Sequence, residues 1–274
     1  MTSARPARML DERRAAPKRG AMEQPTNSVH PSSSAGQATG SAASLPTREA
    51  DHPDWLERSA ALCGIAFVVM ALLYIFLSPA AGTADSPQSV ARTYAEHRTA
   101  GLFWNEIGAL SFFFYLFFLG ALYNRLRRAE AGTGWLSLLA LAGGLGFVAV
   151  HAVETLTAVV LAWHIAPQAA SGGDESTVQA LFDLGNLTVF YDVVPSIVGF
   201  AAVALLVFRT GVFPRWLGWL AGGMTVAGFA SALGITNPQS TFAGISVGLW
   251  TILELFVYTP SLVYFLIRPP RNIP

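Results

Sequence analysis

The sequence predicts an all-α, polytopic membrane protein: a bundle of about six transmembrane helices behind a disordered N-terminal tail. Three observations carry this. Apolar residues make up 53% of the 274 residues and charged residues only 12%, about half the usual charged share of soluble domains. Six apolar segments are long enough to span a bilayer at ~20 residues per crossing. None of them alternates with period two, so they read as helices rather than barrel strands.

The tail comes first. Residues 1–54 are rich in Ser, Ala, Pro, Gly and charge, as in "SVHPSSSAGQATGSAASLPTREADHP", and their first aromatic neighbour is Trp55. Such a stretch cannot bury enough apolar surface to offset its ordering entropy, and a disordered cytoplasmic tail is expected. No apolar core follows the basic cluster Arg13, Arg14, Lys18 and Arg19, so a secretory signal is not expected. That cluster could touch anionic headgroups, although "DERR" mixes signs and favours a solvated tail.

The transmembrane domain, residues 55–274, holds spans at about 58–80, 101–124, 135–164, 180–208, 213–234 and 245–267. Arginine placement gives their orientation. Arg48, Arg58, Arg125, Arg127, Arg128, Arg209, Arg215, Arg268 and Arg271 flank one face of the bundle, against Arg92 and Arg98 on the other. The arginine bias predicts both termini on the cytoplasmic side. Trp55, Trp135, Trp216 and Trp219 then fall toward inner ends and Trp163 and Trp250 toward outer ends, as interface belts do. Cys63, the one cysteine, reads as a small buried apolar residue and excludes an intramolecular disulfide.

In the first outer loop, "ADSPQSVARTYAEHR", Asp85 or Ser86 can cap a helix with Pro87 in its first turn. Val90, Tyr94 and His97 share one face, so a short amphipathic helix on the outer membrane surface is expected, with a gate or lid as the alternative. Ala140 and Gly144, Ala142 and Gly146, Gly218 and Gly222, and Gly223 and Ala227 are small-xxx-small pairs that permit close helix approach. They form no nucleotide-binding turn, since neither GxGxxG nor GxxxxGK[ST] occurs.

The chemistry lies in acids where acids are costly. Glu106, His151, Glu154, Asp183, Asp192 and Glu254 fall within the spans, with no Lys or Arg among them. Each carboxylate near mid-bilayer costs on the order of 2.5–3.5 kcal/mol by insertion scales. Counted at ~1.5 Å per residue from the outer ends, Glu106 lies roughly 9 Å deep, Glu254 roughly 12 Å, Glu154 roughly 14 Å and Asp192 roughly 16 Å. Four spans thus place an acid in one layer, while Asp183 is shallower. His151, Glu154 and Thr155 share a face of span three; Thr188, Asp192 and Ser196 share one of span four, and Asp183 with Asn186 another. Pro195 and Pro260 free the carbonyls of Tyr191 and Phe256 close to two of the acids.

The expected site is therefore an intramembrane pocket formed by Glu106, His151, Glu154, Asn186, Asp192 and Glu254, open to the extracytoplasmic side with Glu106 at its rim. Carboxylates there can be held protonated and act as acids, can bind a cation or cationic ligand, or can relay protons with His151. The bland alternative is that each acid is protonated or hydrogen-bonded to a neighbouring Ser, Thr, Asn or His and serves packing alone. One histidine with scattered carboxylates is a weak zinc set, HxxE not being HExxH, so no metal and no cofactor is expected. No serine or cysteine stands beside His151 to form a nucleophilic triad.

"SVARTYAEHRTAG", "LFFLGALYNRLRRAEAG", "LALAGG", "ALFDLGN" and "FRTGVFPRWLGWLAG", in that order, resemble an uncharacterised family of multi-pass integral membrane proteins of high-GC Gram-positive (actinobacterial-type) bacteria, a domain of unknown function. The likeness covers roughly residues 58–235, and Asp183 in "FDLG" matches the family pattern. It implies a multi-pass fold in a bacterial plasma membrane and carries no activity.

Three function classes follow. The first binds or translocates a small or lipid-like molecule, a cationic one included, at the acidic layer. The second is a membrane-embedded enzyme using Glu154 or Asp192 as a proton donor on an apolar substrate, comparable to integral-membrane terpene cyclases by analogy only. The third is a scaffold without chemistry. Membrane lipids and a small or lipid-like ligand are the expected partners; the zero net charge argues for no nucleic acid, and the oligomeric state is unknown from sequence.

Overall fold

Ten α-helices account for almost all of the described chain: α1 (Asp54–Leu77), α2 (Pro87–Glu96), α3 (Arg98–Ala129), α4 (Trp135–Val160), α5 (Ala166–Ala170), α6 (Glu175–Tyr191), α7 (Val193–Thr210), α8 (Arg215–Leu233), α9 (Thr241–Ile252) and α10 (Thr259–Ile267). This computed structural model describes residues 54–79, 85–172, 174–233 and 241–267. The predicted tail lies outside the described residues, apart from its last position, Asp54, which opens α1. Two π-helical segments, Leu161–Ile165 and Leu253–Tyr258, join α4 to α5 and α9 to α10.

Among the described residues, five helical stretches are long and apolar enough to cross a membrane: Trp55–Leu77, Arg98–Ala129, Trp135–Ala169, Glu175–Thr210 and Gly244–Ile267. The expected span at 213–234 corresponds to the helix α8, Arg215–Leu233, whose end adjoins residues outside the described ones. The outer surface agrees with a lipid surround. Phe76, Phe113, Phe117, Val226, Phe229, Leu233 and Ile245 all point outward, a continuous apolar exterior that water would not tolerate. This is an all-α membrane bundle.

Chain order sets the neighbours. α1 packs on α3 and α10, α3 on α4, α4 on α6 and α7, and α7 on α8. α4 and α7 approach backbone to backbone. A Cβ added to Gly143 would stand 2.6 Å from the Cα and N of Gly199 and 2.7 Å from the carbonyl oxygen of Pro195, so the two backbones touch there. Gly146 meets Pro195 in the same way, and Gly144 receives Leu119. Of the glycines expected to pack, Gly218 lies against Val207 and Phe208, but Gly222 and Gly223 meet nothing within 4 Å. They face away from α7, which claims the Gly218–Gly228 side of α8.

The short connections are tied by local chemistry. Between α3 and α4 the Glu130 carboxylate accepts the N–H groups of Leu136 (3.0 Å) and Ser137 (2.8 Å), capping a helix whose own N-cap is a glycine. Desolvation works against that charge, yet the Ser137 and Leu136 hydrogen bonds hold the carboxyl below its ordinary value. After α7, Gly211 takes φ 65° and ends the helix.

At the end opposite the arginines, α2 forms as predicted, capped by Ser86, whose side chain accepts from Ser89 N–H. Val90 and Ala91 are fully buried in a small cluster with Leu161, Ala166, Ala169, Val178 and Phe182, so α2 caps this end of the bundle. Gln88 hydrogen-bonds Glu175 across to α6. Two tryptophan and cysteine expectations need correcting. Trp250 is 3% exposed and packs on Phe147 and Phe200, inside the core and not at an interface. Cys63 is half-buried, on the wall of a groove between α1 and α3.

Candidate functional site

The α4–α7 crossing positions the site. His151 lies eight residues beyond Gly143 on α4, and Asp192 seven before Gly199, just ahead of the antiparallel α7. At ~1.5 Å per residue both stand some 10–12 Å from the crossing, on the same side of it. They meet there: His151 Nδ1 is 3.1 Å from Asp192 Oδ2, and also 3.1 Å from Glu154 Oε2, three residues along α4. Only the Asp192 contact has hydrogen-bond geometry. One ring N–H serves one of the two carboxylates.

Two of the helix interruptions fall at acids. Asp192 occupies the single-residue interruption between α6 and α7, three residues before Pro195. Glu254 lies in the π-helical segment that precedes Pro260. Prolines disrupt the helical ladder and π-bulges mark functional stretches, so sequence and local structure agree on where regularity is given up.

The neighbouring polar groups do not satisfy the acids. Thr155 donates to the His151 carbonyl (3.1 Å), Thr157 to Glu154 (2.6 Å), Thr188 to Gly185 (2.6 Å) and Ser196 to Asp192 (3.1 Å), each to its own helix backbone. Asn105 and Asn186 likewise spend their amide N–H groups on the Gly101 and Phe182 carbonyls. Among the described residues four buried side-chain atoms have no hydrogen-bond partner: Glu154 Oε2, Asn105 Oδ1, Trp250 Nε1 and Tyr258 Oη. The first two are carbonyl or carboxylate acceptors.

Those two groups line one cavity. It measures about 200 Å³ and is bounded by Tyr74, Ser78, Tyr94, Asn105, Glu154, Thr157 and Asn186 together with apolar side chains of α1, α4 and α6. Glu254 instead borders a separate space of about 30 Å³ with Tyr115, Ser196, Gly199, Phe200, Tyr258 and Thr259. Asp192 and His151 line neither space; the Asp192 side chain is 7% exposed, and Phe112 and Phe147 stand against the imidazole at 4.7 and 5.7 Å.

The six expected site residues are thus sorted. His151, Glu154 and Asp192 come together; Asn186 shares the larger cavity with Glu154; Glu254 approaches from the other side, so the single common cavity is divided in two. Glu106 corrects the expectation: it is exposed and lines neither cavity. α3 turns Gly101, Asn105, Gly108 and Ser111 inward, and Glu106 stands one position off that stripe. Asp183 is exposed, accepting from Gln179. Sequence reasoning missed Asn105, Tyr74 and Thr157. Asn105 carried a signal: an amide at helical spacing with Gly101 and Gly108, next to the more conspicuous Glu106.

No protein-family model, curated protein or solved structure matches this chain.

Proposed function

We propose that this is a bacterial plasma-membrane protein that binds a small cation, or the cationic head of a lipid-like molecule, in the larger cavity. In this reading both termini are cytoplasmic and the cavity is reached from the extracytoplasmic side, following the arginine bias. The resemblance noted above supports the bacterial plasma membrane. The observation that carries the binding reading is the pair of unpaired buried acceptors, Glu154 Oε2 and Asn105 Oδ1, on one cavity wall. Each such group costs about 1–3 kcal/mol while empty-handed. A ligand bearing N–H donors or positive charge relieves both.

Size narrows the ligand. A volume of about 200 Å³ is below the ~300–1,000 Å³ of drug-sized pockets, so the cavity takes a head group and leaves an alkyl tail to the bilayer. The Tyr74 and Tyr94 rings at its wall suit a cation. Dodecylammonium is the probe of choice, with dodecyl sulfate as the matched anion. Native mass spectrometry and calorimetry in neutral detergent should find dodecylammonium bound once per chain and dodecyl sulfate unbound. Equal binding of both, or none of the ammonium, overturns the reading. Orientation is tested separately by cysteine labelling at Ser176 and Asn124 in a Cys63→Ser background: Ser176 should react from outside and Asn124 should not.

A further inference from the structure

We infer that His151, Glu154 and Asp192 form a three-ligand site for a divalent transition ion of the zinc class. This rests on the cation reading above and names the cation. Their donor atoms, one per residue, all lie within 4.8 Å of one another. Nδ1 stands 3.1 Å from each of the two carboxylate oxygens. Zinc bonds of about 2.0–2.2 Å set tetrahedral donor–donor separations of roughly 3.2–3.6 Å, so only small side-chain adjustments separate this cluster from a coordination shell.

Three further facts favour a metal over a hydrogen-bonded triad. First, a lone N–H on Nδ1 can serve one carboxylate, and the Glu154 oxygen beside it has no partner. An ion bound at Nδ1 would serve both. Second, positions 99–124, 135–208 and 216–267 hold no Lys or Arg, so Glu154 and Asp192, once deprotonated as ligands, would have neither as a counter-ion. A divalent cation compensates where a side chain does not. Third, one of the three ligands, Glu154, lines the cavity in which the Asn105 side chain, 3% exposed, presents an oxygen with nothing to accept from. A ligand or water completing the fourth position of the metal would lie in that cavity, which is large enough to hold several waters.

The donor set selects the ion. One imidazole and two carboxylates suit zinc and its neighbours, whereas calcium and magnesium demand six or more oxygen ligands in their shells. Glu254 lies outside the set.

The test uses the full chain in detergent, stripped with EDTA and titrated with Zn²⁺ against a chromophoric chelator, with bound metal counted by elemental mass spectrometry. One Zn²⁺ per chain is expected, with Ca²⁺ and Mg²⁺ not competing. Glu154→Gln, Asp192→Asn and His151→Gln should each weaken binding by about 100-fold or more, beyond what outer-shell changes cost. Exposed Glu106→Gln should bind as the unaltered chain does. Each variant is taken only if monodisperse and helical by circular dichroism. Should Asp192→Asn fail that check, the His151→Gln and Glu154→Gln pair decides. Zinc bound equally by these variants marks a surface site and overturns the inference. A chain that takes dodecylammonium but no zinc overturns the metal and leaves the cation reading standing. A chain that takes neither overturns both, and zinc displacing dodecylammonium competitively supports both.

Discussion

The bundle is built differently on the two sides of the His151–Asp192 contact. Toward the arginine-rich end the backbones of α4 and α7 touch at Gly143 and Gly199, Leu119 fills the notch at Gly144, and the remaining void is about 30 Å³. Toward the opposite end the same two strands of chain diverge. α4 passes into a π-helical segment, α6 breaks at Asp192, and a cavity of about 200 Å³ opens with a polar wall. Its roof is a separate small cluster built around Val90, Leu161 and Val178. Tight contact between glycine backbones supplies the rigidity against which the other half can hold unsatisfied acceptors. In the proposed reading, the tightly packed half carries stability and the half with the larger cavity carries binding.

The strongest way to break this division is at the crossing. Gly143→Leu drives a side chain into the Gly199 backbone, which has no rotamer to move. Even Gly143→Ala, with its Cβ at 2.6 Å from that backbone, should cost about 1–3 kcal/mol as overpacking, and leucine more. Thermal unfolding in detergent should show the Leu variant unable to give monodisperse protein. Gly223→Ala on α8, which meets nothing within 4 Å, should leave the transition within about 0.5 kcal/mol. Equal tolerance of Gly143→Leu and Gly223→Ala would show that the crossing does not hold the fold.

The next effect separates binding from stability. Glu154→Gln keeps shape and removes the charge facing the cavity, so dodecylammonium affinity should fall by the ~1.5–3 kcal/mol typical of a charged hydrogen bond, about 10–100-fold. The melting temperature of the unliganded chain should hold, because Gln keeps the volume and no hydrogen bond to Oε2 is lost. A variant that loses stability and keeps affinity would reverse the assignment of roles to the two halves.

How much of this was readable beforehand follows from which interactions are local. The spans, the Ser86-capped α2 and the shared face of His151 and Glu154 are set by composition and by spacing of three or four residues, so the sequence held them. The His151–Asp192 contact joins positions 41 apart, and it depends on which glycine of "LALAGGLG" meets which residue of α7. The small-residue pattern allowed several registers, and the one adopted runs through Gly143, which the spacing rule had not singled out. Depth along a helix was recoverable by counting, but facing was not: "SFFFYLFFLG" is apolar all round, so α3 gave no moment by which to see that Asn105 points in and Glu106 out. The metal-ligand geometry was hidden for the same reason, since one histidine gains its second carboxylate only through tertiary packing.

A smaller effect sharpens the cavity wall. Asn105→Leu replaces an amide by an apolar group of similar size, removing both the unpaired Oδ1 and the Nδ2 bond to the Gly101 carbonyl. The two losses oppose each other in the unliganded chain, so its stability should change by less than about 1 kcal/mol. Dodecylammonium binding should still weaken, by the ~0.5–1.5 kcal/mol of one neutral hydrogen bond. Unchanged affinity would remove Asn105 from the site and leave Glu154 as its sole anchor.

The smallest effect concerns the roof. Asp174 caps α6, accepting Ser176 N–H at 2.9 Å and the hydroxyls of Ser176 and Thr177 at 2.6 Å each. Those bonds, the Ser176 hydroxyl foremost, hold its carboxyl at about 2, below the ordinary aspartate value. The sign follows: a depressed folded value means the cap is fully effective above the unfolded value of about 4. Its contribution is lost as pH falls through about 2. Amide hydrogen exchange, corrected for intrinsic rates, should show the first turn of α6 protected down to about pH 4 and progressively exposed below it. Asp174→Ala should show that exposure already at neutral pH, while amides of α7 beyond the Gly199 crossing stay protected in both. Because α6 carries Phe182 and Val178 into the roof cluster, fraying here tests whether the half with the larger cavity can loosen alone. If α7 loses protection along with the α6 cap, the two halves unfold as one unit and the division at His151–Asp192 is not an energetic one.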